Sequence, residues 1–171
     1  KEPKSIVFMN LNGTMDYTLQ NQLDIKAIGE ILSTKLLESI REDKSGVYSI
    51  GAYPRIEHYP ESGYKIYIFF GCSPDNVENL TKGVFEEINK LIENGPSEVD
   101  LNKAKEKLLR ERESQLEENK FWLNTLKSLD YHLSKKENID RYNEVVNAMS
   151  VESLKKAAAK FLNDENYVRI V

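Results

Sequence analysis

The chain has 171 residues, 40% hydrophobic and 30% charged, a balance that suffices for one domain-sized core and argues against disorder, a collagen repeat or a membrane span. Its 24 Lys+Arg against 28 Asp+Glu leave a net charge of −4, so its long-range field does not draw phosphate backbones or anionic lipids, and nucleic acid is disfavoured as a partner. The only cysteine, Cys72, excludes an intrachain disulfide, a Cys-based zinc cage and a redox pair.

The start, Lys1-Glu2-Pro3-Lys4, has neither an initiator Met nor an apolar leader and reads as a cut inside a longer chain, with residues 1–171 forming a single domain of it. Ser5 to Leu11 is a short apolar run closed by Asn12-Gly13, the pattern of a buried strand and turn. From Gln20 to Ile40 apolar residues recur at spacings of three and four, which predicts a long helix with one face on the core. After the polar break Arg41 to Gly46, Val47–Ile56 and Gly63–Cys72 read as an antiparallel hairpin around His58-Tyr59-Pro60-Glu61-Ser62. Ser73-Pro74-Asp75 predicts a helix start, and Asn94-Gly95-Pro96 its stop. Ser97-x-x-Asp100 resembles a capping box opening a mostly wet helix, whose buried seam is Leu101, Ala104, Leu108 and Leu109. Helices follow at Phe121–Leu133, Arg141–Met149 and Val151–Leu162, the last capped by Ser150, and Tyr167–Val171 is a final strand. The fold class is α+β: a two-layer sandwich in which a mainly antiparallel sheet of about four strands is covered by long helices.

Residue types that carry chemistry are sparse. The two histidines are His58 and His132, and no His-x-x-x-His pair with an intervening Glu exists. His58 and Glu61 have part of that spacing, but Ser62 stands where the second His would be and Pro60 opposes a helix, so an exposed loop is the default reading. His132 reads as a helix-surface residue. No serine lies in a Gly-x-Ser-x-Gly elbow, and Cys72 ends an apolar strand, where a thiol is inert packing. There is no Gly-x-Gly-x-x-Gly and no phosphate loop, so nucleotide cofactors have no seat. Phe69, Phe70, Phe121 and Trp122 read as core or interdomain packing, while Tyr64 and Tyr67 fall on opposite phases of one strand.

The most informative segment runs from Ile40 to Ile50: a long helix ends in Arg41, a loop with Gly46 follows, and Tyr48 opens the next strand seven residues after the arginine. With the element order, the strand-to-helix passage Phe70 to Asp75, the Leu91 to Asp100 break and the Glu118 to Leu123 stretch, the chain from Pro3 to Val171 resembles the C-terminal half of pitrilysin-type zinc metallopeptidases, the family of insulin-degrading enzyme and the mitochondrial processing peptidases.

That resemblance implies a non-metal half of a clamshell. Zinc and the general base would come from an N-terminal metal-binding half of the same or a partner chain, through a His-x-x-Glu-His motif this chain lacks. Tyr48 would give its hydroxyl to the oxyanion of the tetrahedral intermediate, and Arg41 would bind the peptide substrate's backbone. The intact protein would then be a zinc metallopeptidase and the isolated fragment inactive. The alternative implied by the same family is a catalytically silent structural or interaction domain. A former interdomain face left open also makes a homo-oligomer an expected outcome. The compartment, bacterial periplasm or cytoplasm, is not set by these residues.

Overall fold

The computed structural model describes residues 4–42, 49–131, 136–163 and 166–171, and only the backbone of residues 41, 42, 131 and 137. Strand β1 (Ser5–Thr14) alternates cleanly: Val7, Met9 and Leu11 are fully buried while Ile6 and Phe8 point the other way. Helix α1 (Leu19–Leu36) starts at Thr18, whose side-chain oxygen accepts from the Asn21 N–H at 3.2 Å, and runs on as a π-helical stretch over Leu37–Glu42. Strands β2 (Ile50–Glu57) and β3 (Gly63–Cys72) form the expected hairpin, although its first predicted residues, Val47 and Tyr48, lie outside the described region.

A 3-10 turn at Pro74–Asn76 leads into α2 (Val77–Asn94), and Ser73 makes no side-chain cap there. Gly95 closes α2 with φ of 74° and its N–H on the Leu91 carbonyl at 3.0 Å, a left-handed position that glycine takes without strain. Helix α3 (Glu98–Leu116) begins at the predicted cap, where the Ser97 hydroxyl accepts from the Asp100 N–H at 3.1 Å. The Asp100 carboxylate turns back on Ser97, accepting its hydroxyl at 2.6 Å, and pairs with Lys35 of α1 at 2.9 Å. Then come α4 (Asn119–Tyr131), a single turn α5 (Glu137–Asp140) that the sequence pattern does not announce, α6 (Tyr142–Ala148) and α7 (Val151–Phe161). Ser150 and Ser153 cap α7 reciprocally. Strand β4 (Tyr167–Ile170) closes the chain.

Among the described residues there is one sheet, fully antiparallel, with strand order β2-β3-β1-β4. The α+β two-layer expectation is therefore met. The core lies between the helices and one face of the sheet, where Leu11, Ile66, Ile68, Phe70, Leu32 and Phe161 are essentially solvent-free. Tyr64 meets Phe161 edge-on, with centroids 5.1 Å apart, and is buried as its strand phase requires. Burying each such large apolar side chain stabilises the fold by roughly 1.5–3 kcal/mol.

Candidate functional site

The opposite face of the sheet is not covered by any described element. Alternation sends every second residue there, and although Asn10, Asn12, Arg55, Glu57 and Lys65 share that face, one band of it is apolar: Ile6 (72% exposed) and Phe8 on β1, Tyr53 on β2, Phe69 on β3, and Val168 and Ile170 on β4. They form an unbroken belt across all four strands. Tyr53 and Phe69 stack with centroids 5.0 Å apart at 13°, and Phe8 leans on Tyr67 at 5.4 Å. Gly51 makes the first pair feasible, because a Cβ there would come within 2.8 Å of the Tyr53 Oη. The charges on this face collect at the hairpin end, where Lys65 binds Glu57 at 3.0 Å. A water-facing sheet should alternate apolar and polar, so an apolar outer face is the signature of a surface that meets another body.

Of the two alternatives expected for Phe69 and Trp122, core or interdomain packing, exposure removes the first. Phe69 is not core but 39% exposed on the open face, since strand alternation allows only one of Phe69 and Phe70 inside, and Phe70 has that place. Trp122 is likewise not core. It is 42% exposed on α4, and its indole N–H donates to the Leu116 carbonyl at 2.8 Å. The period-two pattern of β3 carries the signal that identifies Phe69 and Tyr67 as outward residues, and the same parity on β2 identifies Tyr53.

Of the predicted site pair, Tyr48 lies outside the described residues, and so does the Arg41 side chain. The Arg41 backbone belongs to the π-helical stretch after α1, directly after the buried Ile40, and on the far side of the undescribed residues Ile50 is buried opposite Phe70 at the start of edge strand β2. His132 also lies outside the described residues. His58 stacks on Tyr17 with centroids 3.9 Å apart, so the hairpin loop is more packed than an exposed loop would be. Cys72 is buried, and burial pushes its thiol above the usual range, as expected for inert packing. Among the described residues no three His, Cys, Asp or Glu side chains stand together as metal ligands, so these residues do not fit a zinc ion. No described helix is long and apolar enough to cross a membrane.

Comparison with known proteins finds a family and several relatives. Residues 1–108 match the family described as Peptidase M16 inactive domain. A zinc protease PQQL-like protein of Arabidopsis thaliana is 28% identical over 121 residues, 67% of this chain, and the probable zinc protease PqqL of Haemophilus influenzae is 29% identical over 109 residues, 63% of this chain. The chain spans only 12% and 11% of those two relatives' lengths. The crystal structure of the periplasmic protease PqqL from Escherichia coli superposes with a TM-score of 0.78 over 94% of this chain and 18% of that one, at 22% identity, a likeness of fold.

Proposed function

Because the chain belongs to the peptidase M16 inactive-domain family, we propose that it is the non-metal wall of a peptide-enclosing chamber in a larger zinc metallopeptidase. The apolar belt across the sheet's open face carries this reading: an exposed surface of stacked aromatics and aliphatics suits extended peptide or the face of a closing half, and it has no partner within the described chain. Zinc and the general base would be supplied by an N-terminal half, a reading supported by relatives that are named zinc proteases. Arg41 would hydrogen-bond the substrate backbone, and Tyr48 would donate to the oxyanion. The phenol would stabilise charge that develops only in the transition state, while the guanidinium fork would hold the substrate in ground and transition state alike, inside a site from which closure excludes water.

The test is steady-state peptide hydrolysis by the full-length protein. Tyr48→Phe is expected to lower kcat by about 100-fold or more, with KM little changed, and Arg41→Ala to worsen both parameters. A second reading, a catalytically silent structural domain, is favoured by the family's description as inactive. It predicts unchanged kinetics in both variants. The Escherichia coli relative is described as periplasmic, and we extend that location to the parent protein, for which cell fractionation is the check. The open face is also where the isolated chain would self-associate, measurable by sedimentation.

A further inference from the structure

On the helical side of the molecule, away from the sheet's open face, the start of α1, the end of α3 and helices α4 to α6 surround a cleft of about 210 Å³. Its most unusual component is Arg112. Although charged, it is only 7% exposed, because it continues the α3 seam of Leu101, Ala104 and Leu108 by one further helical step of four. Its guanidinium carbon sits 4.6 Å from the ring centroids of both Phe121 and Tyr142, and Nη2 donates to the Ile139 carbonyl at 3.1 Å. A guanidinium has five N–H donors, and two aromatic faces with one carbonyl account for only part of what water would supply.

A buried cation ordinarily carries a carboxylate partner, because leaving it without one costs several kcal/mol. Among the described residues none pairs with Arg112, and no Asp or Glu lines the cleft. The second cation there is Lys26 of α1. It keeps solvent contact, yet enough protein surrounds its ammonium for burial to lower its pKa, with nearby Arg112 pushing the same way against exposed Glu111. The remaining walls divide into hydrogen-bonding groups, such as Gln115 and Thr125, and apolar ones, Leu23 and Leu129. Two cations, no acid among the described lining residues and a half-apolar wall describe a complement to an anion with a hydrocarbon body.

We propose that this cleft is a binding site for a small organic carboxylate bearing a short apolar group, its carboxylate between Arg112 and Lys26 and its body against Leu23 and Leu129. A volume of about 210 Å³ is ample for a compact acid. A bare inorganic anion would leave the apolar wall unused, and a neutral analogue would leave the cations unmatched. The inference does not depend on the peptidase reading, because the cleft is formed by helices that do not contribute to the sheet's open face.

The experiment is a titration of the 171-residue chain at constant ionic strength with 3-phenylpropionate, with its neutral amide and with inorganic phosphate, followed by NMR shifts of Thr125, Leu129 and the Gln115 side-chain amide. The expected result is saturable binding of the carboxylate, about tenfold weaker binding of the amide, and a loss of about tenfold in Arg112→Lys and Lys26→Gln. Lys26 is exposed, so its variant decides the matter even if Arg112 variants fail to fold. Equal affinity for acid and amide would overturn the proposal, as would phosphate binding at least as tightly as the acid. So would the absence of saturable shifts at millimolar ligand, which would leave Arg112 as a brace between α3 and its neighbours.

Discussion

Gly29 of α1 and Pro54 of β2 approach so closely that a Cβ on Gly29 would lie 2.6 Å from the Pro54 Cδ. Pro54 is on an edge strand, where a missing N–H is tolerated, and its ring takes the space that a side chain at position 29 would need. The pair sets how near the first helix lies to the sheet. Gly29→Ala should therefore destabilise by about 1–3 kcal/mol from overpacking, even though alanine raises helix propensity by about 1 kcal/mol. Urea denaturation midpoints check this, and an unchanged or higher midpoint would show that the contact relaxes freely.

Neighbouring phenylalanines on β3 should behave oppositely. Phe70→Ala is expected to cost about 3–5 kcal/mol by emptying the core. Phe69→Ser should cost no more than about 1.5 kcal/mol, the worth of its stacking on Tyr53, while raising KM for peptides in the full-length protein. Equal stability losses at the two positions would contradict the assignment of faces.

The ion pair of Lys35 and Asp100 ties the end of α1 to the start of α3. Burial alone would raise the Asp100 carboxyl, but the Ser97 hydroxyl and the Lys35 ammonium outweigh it and hold the pKa below the usual range. Burial would lower Lys35, yet Asp100 and Glu38 keep it above its ordinary value. A depressed acid stabilises above its unfolded pKa of about 3.9, and that stability is lost as pH falls through the folded value. The raised lysine stabilises below about 10.4 and loses its share as pH rises through its folded value. Asp100→Asn should thus cost about 1–2 kcal/mol at neutral pH, and the difference from wild type should shrink below about pH 4. A difference that stays constant down to the acid transition would rule this out.

Cys72 should resist thiol reagents in the native chain at neutral pH and react fully on unfolding, because burial raises its pKa and blocks access. Fast native labelling, followed with a chromogenic disulfide, would count against the burial seen here.

The main outline was legible before any coordinates. Period-two and period-3.6 patterns located the four strands and the long helices, and Ser97, Gly95 and Ser150 marked their ends, because those signals are local and each residue's phase within an element is set by backbone geometry. The α3 seam was readable too, and one further step along it would have found Arg112 buried. The one-turn α5 was not, since four residues carry no period.

Two things the linear order left undecided. Alternation says that Phe69 and Phe70 face opposite ways, but only the position of the helices settles which face is core and leaves the other as an apolar belt. Likewise, Lys103 to Glu113 reads as a charged surface until Phe121, Ile139 and Tyr142, from later helices, close over Arg112 and leave a cleft with no acid among its described lining residues. Local conformation follows from neighbours in sequence. Burial, and with it the energetic meaning of a charge or an aromatic ring, follows from which distant segments arrive beside it.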